Sequence, residues 1–133
     1  MIFYTGKLTQ AYHGDVGWDL YAQEETIIEP LKPYKIATGV KLNMPHNIFA
    51  QVVPRSGLSL KGLIVVTGTI DTEYRGEIGV ICYSLWAPYF TIEKGLKIAQ
   101  LVFHPKVNEE MHFRYEINPY TERGEKGFGS SDK

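Results

Sequence analysis

Residues Glu77 to Leu85 read EIGVICYSL. Apart from Glu77, Gly79 and Ser84 every side chain is apolar, and the apolar ones fall on both faces that a period of two defines. The run is too short to span a bilayer. It fits a strand covered on both sides, either sandwiched between two layers of its own chain or facing a neighbouring subunit. Cys82, inside it, is the only cysteine, so an intramolecular disulfide and a CxxC metal pair are excluded and a buried, inert thiol is expected.

The same period continues outward. YKIATGVKLNM (Tyr34–Met44) alternates, as does IFAQVV (Ile48–Val53). YFTIEKG, KIAQLVFHP and EMHFRYEI (Glu110–Ile117) read as further strands, separated by glycines and prolines at the spacing of an all-β sandwich or barrel. A short helix is expected around SGLSLK (Ser56–Lys61). From Arg123 onward the apolar pattern stops, so residues 1–122 read as one β domain and 123–133 as a C-terminal arm.

The 133 residues suit a single domain that buries roughly two-thirds of its unfolded surface. With 44% apolar and 22% charged residues the composition is that of a soluble globular protein. Fourteen basic against fifteen acidic residues leave a net charge of −1, which excludes a general nucleic-acid binder but not a site for a small anion. Neither a signal peptide nor a membrane span is legible, and the expectation is a cytoplasmic protein with no membrane partner.

Four stretches carry chemical groups. In PRSGLSLKG (Pro54–Gly62), Ser56 is placed to cap the helix, Gly57 follows it, and free N–H groups beside Arg55 would attract an anion; alone, it also reads as a capped surface turn with a solvated Arg. GTIDTEYRGEIGV (Gly68–Val80) reads as a β-hairpin with Gly76 at its turn. It sets Asp71 where a general base belongs and presents the Tyr74 ring beside it, or is a solvated hairpin tip. In VGWDLYA (Val16–Ala22), Asp19 lies between Trp18 and Leu20 and needs hydrogen-bond partners. In GLKIAQLVFHP (Gly95–Pro105), Gln100 is the one uncharged polar side chain in an apolar setting. The four histidines (His13, His46, His104, His112) lack ligand spacing and read as surface or rim residues.

Taken in order, VGWDLYA, PRSGLSLKG, GTIDTEYRGEIGV, GLKIAQLVFHP and RGEKGFGSS (Arg123–Ser131) resemble the five motifs of the trimeric dUTPase family, over residues 16 to 131. The resemblance implies a distorted jelly-roll with one short helix, assembled as a homotrimer whose active sites lie between subunits. It implies hydrolysis of dUTP to dUMP and pyrophosphate with Mg²⁺, which limits uracil in DNA and supplies dUMP for dTMP synthesis.

Residue by residue, it makes Asp71 the carboxylate that activates water against the α-phosphorus. Tyr74 packs under the deoxyribose and refuses a 2′-hydroxyl, and the backbone around Gly68 and Gly79 pairs with the uracil edge. Arg55, Ser56, Gly57 and Gln100 hold the phosphates. Asp19 supports the motif-three region and the metal's water shell, and the metal itself is held by triphosphate oxygens and water rather than by side chains. In the arm, Arg123 reaches the γ-phosphate, Phe128 stacks on uracil, and Gly129 and Ser130 supply further donors. Four features depart from the family pattern: Lys126, where many relatives have a third glycine; Gly95-Leu96-Lys97, where relatives often carry Gly-Asp-Arg, so a salt bridge found in relatives is expected to be missing here; the segment after Lys61, shorter by about one residue; and Val66, where a smaller or polar residue is frequent. Two other readings compete, a dCTP deaminase, which shares the fold and trimer, and a non-catalytic protein-binding scaffold; the intact Asp71 and Phe128 stretches argue against both.

Overall fold

The computed structural model describes residues 1–86 and 88–129. Its strands in chain order are β1 (Phe3–Tyr4), β2 (Leu8–Thr9), β3 (Gly17–Tyr21), β4 (Thr26–Ile28), β5 (Tyr34–Ala37), β6 (Leu42–Asn43) and β7 (Ile48–Val53), then helix α1 (Ser56–Leu60), then β8 (Leu63–Val65), β9 (Gly68–Ile70), β10 (Gly79–Ser84), β11 (Phe90–Ile92) and β12 (Lys97–Pro105). The main sheet runs β2-β3-β12-β7-β9; a second runs β5-β10-β8, and β1-β6 and β11-β4 close the ends. Every ladder is antiparallel. The architecture is thus nearly all-β with one short helix, as the period of two requires.

Alternation decides what is buried. Ala50 and Val52 on β7, Leu20 on β3, Leu101 on β12, Val80 and Cys82 on β10 and Leu63 on β8 all point into one core. Fully burying a leucine such as Leu20 or Leu101 contributes about 1.5–3 kcal/mol over leaving it exposed. Burial pushes the Cys82 thiol up to about 11, as desolvation disfavours the thiolate.

Tyr34–Met44 is not one strand. The chain leaves the second sheet at Ala37, turns at Gly39 with φ +73°, and enters β6 in another sheet. A residue with a Cβ is strained there. Buried Thr38 compensates the break: its hydroxyl donates to Ile78 O at 2.6 Å and accepts from Val40 N at 3.2 Å, so no polar group is orphaned.

The β10 strand is covered on one face only. Val80, Cys82 and Ser84 are buried, but Ile81 on the opposite face is 47% exposed and Tyr83 is half-buried. Among the described residues, no second layer of the same chain covers that face.

The strand expected over Glu110–Ile117 does not form; the last strand ends at Pro105. An alternating segment becomes a strand only where another strand pairs with it, and among the described residues none does. Met111, Phe113, Tyr115 and Ile117 consequently stand at least 80% exposed.

His104 is half-buried, as a rim residue is. Its ring stacks on Phe49 with centroids 5.0 Å apart, and its Nε2 is buried without a partner among the described residues.

Candidate active site

Two cavities hold the candidate residues. The first begins with the register of the main sheet, which sets Asp19 of β3, Gln100 of β12 and Val53 of β7 side by side in one row. Gly17 on β3 has no Cβ, and the Gln100 carboxamide occupies the space a Cβ would take. Two residues beyond Val53, Arg55 comes back over the row. Its Nε lies 3.7 Å from Asp19 Oδ1, and its Nη1 donates to Lys97 O at 3.2 Å. Lys97 Nζ stands 3.6 Å from the other oxygen, Asp19 Oδ2.

One carboxylate, only 13% exposed, therefore holds two cations, which satisfies the demand that a part-buried acid be paired. These residues and Asp15 line a cavity of about 340 Å³. Both ion pairs exceed hydrogen-bond length, so most N–H donors of Arg55 and Lys97 remain available to an anion. Lys97, of motif four, brings a second cation to Asp19. Sequence reasoning overlooked it as a site residue; its offset of three from Gln100 on a β-strand hid that both border one cavity.

The helix start differs from expectation. Arg55, not Ser56, is the cap residue, with extended backbone at φ −102° and ψ 131° and no side-chain capping bond. Ser56 and Gly57 are the first helical residues. Their N–H groups belong to the set that a helix leaves without internal partners, and both residues are exposed. A five-residue helix is marginal by itself; buried Leu58 anchors it, and Gly62 at φ +90° ends it.

The second cavity, about 220 Å³, lies between β9 and β10 and is lined by Asp71, Tyr74, Glu77, Ile78 and Gly79, with Thr69, Ile70 and Lys35. The segment that carries it is not a two-stranded hairpin. Gly68–Ile70 pairs with β7, Gly79–Ser84 pairs with β5 and β8, and the two arms share no ladder. Splaying them opens the cavity, which a closed hairpin would fill.

The turn between the arms is fastened by Tyr74 N donating to Asp71 O at 3.0 Å and by Arg75 Nη1 donating to Thr72 O at 2.8 Å. Thr72, buried, donates to Ile48 O at 2.6 Å. Gly76 is needed for space rather than for an unusual dihedral. The Tyr74 ring folds across it, so that a Cβ would lie 2.6 Å from Cζ, and the Tyr74 hydroxyl donates to Glu77 O at 2.9 Å. Asp71 is exposed and makes no side-chain hydrogen bond or ion pair among the described residues; besides this cavity it borders a neighbouring one of about 530 Å³ with Phe49, Glu73 and Lys106. Gly79 lines the second cavity, whereas Gly68 opens β9 in register with Val52.

Among the described residues, the arm borders neither cavity. Arg123 Nε donates to Lys126 O at 2.7 Å, and Lys126 N donates back to Arg123 O at 3.2 Å. Phe128 is fully exposed at φ 51°, a region that bulky residues avoid, and Gly129 follows at φ +90°. Ser130 lies outside the described residues.

An all-β chain with an uncommitted carboxylate beside a flat ring in one cavity, and a cation-lined cavity in another, has the parts of a phosphoanhydride hydrolase. The chain belongs to the dUTPase family, whose model it matches over residues 5–132. It is 45% identical over 125 residues to the deoxyuridine 5′-triphosphate nucleotidohydrolase of Clostridium novyi (strain NT), covering 92% of this chain and 87% of that one. It is 38% identical over 120 residues to the enzyme of the same name from Fowlpox virus (strain NVSL), covering 86% and 81%. Among solved structures, the Staphylococcus bacteriophage 80alpha dUTPase with dUPNHPP superposes with a TM-score of 0.87 at 28% identity, covering 98% of this chain and 97% of that one.

Proposed function

We infer that this chain hydrolyses dUTP to dUMP and pyrophosphate. The observation that carries the reading is the shared cavity of Asp71, Tyr74 and Gly79 on a family member. Asp71, with no side-chain partner to hold its charge, orients and deprotonates the water that attacks the α-phosphorus; a positioned base contributes typically about 10²–10⁴-fold. Tyr74, braced over Gly76, packs under the deoxyribose and leaves no room for a 2′-hydroxyl. The backbone about Gly79 pairs with the uracil edge, and cytosine leaves those buried groups unpaired.

Arg55, Lys97, Gln100 and the first N–H groups of α1 at Ser56 and Gly57 grip the phosphates. The cofactor is Mg²⁺. Among the described residues no three His, Cys, Asp or Glu side chains group to enclose a metal ion, and the anion cavity balances Arg55 and Lys97 against Asp15 and Asp19. That balance fits a polyphosphate that arrives with its own cation. Bound with the substrate, Mg²⁺ would neutralise charge on the chain of phosphates, and Asp19, part-buried between two cations, would support its water shell.

The functional unit in this reading is a homotrimer. One substrate is then shared between the base cavity of one copy and the anion cavity of the next. The open apolar face of β10 and the exposed alternation at Met111, Phe113, Tyr115 and Ile117 are surfaces such copies would cover. Residues 123–133 then close over a neighbouring site, with Phe128 on the uracil face, Arg123 on the γ-phosphate and Gly129 and Ser130 giving further donors. No described helix is long and apolar enough to cross a membrane, and in this reading the enzyme acts in the cytoplasm.

The test is pyrophosphate release from dUTP, dCTP, dTTP and UTP, with and without Mg²⁺. Release confined to dUTP with Mg²⁺ is expected. Ammonia from dCTP would make the chain a deaminase, and equal release from UTP would remove the role given to Tyr74.

A further inference from the structure

The base cavity has one lining residue that lies outside all five motifs. Lys35, on β5, stands opposite Ile81 in the β5–β10 ladder and borders the cavity together with Asp71, Tyr74 and Gly79. Its stem lies on the bare side of Gly79: a Cβ there would come 2.5 Å from Lys35 Cε and 2.9 Å from Cγ. The missing side chain of Gly79 is thus what lets the lysine lie across β10 beside the cavity. The ammonium makes no ion pair or hydrogen bond among the described residues, and Glu77, the other carboxylate beside Asp71 in the lining, is occupied by Gly39 N at 2.7 Å.

An exposed lysine normally leaves its stem free to sample many rotamers. Here the stem lies beside the Gly79 backbone and the charge stays uncommitted at the edge of the cavity, free to meet a ligand there. An ammonium only donates. Beside a pyrimidine it suits a carbonyl oxygen and is mismatched with an amino group.

We propose that Lys35 is a specificity-determining residue that donates to the ring carbonyl whose replacement by an amino group makes cytosine. The inference rests on the dUTPase reading of this cavity and adds a side-chain donor to the backbone recognition of the base.

Lys35→Met keeps the stem and removes the charge; Lys35→Arg restores a donor. With melting temperature and assembly matched to the parent, KM and kcat are measured for dUTP and dCTP, and inhibition constants for deoxyuridine, which has no phosphate. Lys35→Met is expected to raise the dUTP KM and the deoxyuridine inhibition constant together by about tenfold, the scale of one hydrogen bond to a charged group. Its kcat stays within about twofold, its preference for dUTP over dCTP falls, and Lys35→Arg recovers part of the loss. An unchanged KM and preference overturns the proposal. So does a loss seen with dUTP but not with deoxyuridine, which would put the ammonium on the phosphates. A parent chain that turns over dUTP while Lys35→Met behaves like it sinks only the role of Lys35; a parent that binds neither deoxyuridine nor dUTP sinks the dUTPase reading with it.

Discussion

Asp71 and Asp19 show how differently two carboxylates can be set in one small protein. Asp19 is drawn in between Arg55 and Lys97, and its charge is spent on holding them. Asp71 is exposed, with no side-chain partner among the described residues, and its charge is free for a water. Asp71→Asn should therefore fold, assemble and bind dUTP with little change in affinity while turnover falls by about 10² or more; single-turnover kinetics beside equilibrium binding separates the two, and near-parental turnover would end the general-base assignment. Cys82 gives a second expectation at this scale. Its thiol titrates near 9.0 in an unfolded chain and near 11 when folded, so the unfolded state loses its proton first as pH rises. The stabilisation is complete below about 9 and disappears between 9 and 11. Cys82→Ala lacks this dependence, and urea midpoints of the two proteins across that window should converge; parallel curves would show that burial of the thiol does not shift it. Of these residues, Asp71, Tyr74, Arg55 and Gln100 were legible because each stands in a motif. Lys35 and Lys97 were not: a lysine's position in sequence says nothing about which cavity its long side chain reaches.

Strands were read well where alternation had a partner within the chain, as at Ile48–Val53 and Lys97–Pro105. The reading failed where partnership is decided by the whole fold. Gly68–Val80 has the composition of a hairpin, yet its arms go to different sheets, β9 pairing with β7 and β10 with β5 and β8. Glu110–Ile117 alternates without fault and forms nothing alone, because a period of two describes a face and not the strand that will cover it. The arm after Glu122 is the element whose role can be removed cleanly. Its described residues border neither cavity and add nothing to the core, so a chain ending at Glu122 should match the parent in melting temperature and assembly, while activity collapses for want of Phe128 and Arg123. Retained kcat/KM for dUTP would show that the arm takes no part in the reaction.

At the scale of the molecule, the separation of the two cavities becomes a quantitative prediction. If a substrate spans the base cavity of one chain and the anion cavity of the next, then Asp71→Asn and Arg55→Ala damage different chains at the same site. Each variant alone should be inactive. Unfolded together in equal amounts and refolded, they form mixed rings in which a site is sound only when the chain lending the base cavity carries Arg55→Ala and the chain lending the anion cavity carries Asp71→Asn. Each condition holds with a chance of one half in a closed head-to-tail assembly, so activity should return to about a quarter of the parental level. A site built within a single chain recovers nothing on mixing, because every chain then carries one fatal change. The same experiment with chains also ending at Glu122 should abolish the recovery if the arm completes the site, and the dependence of recovered activity on total protein concentration reports how firmly the ring holds together.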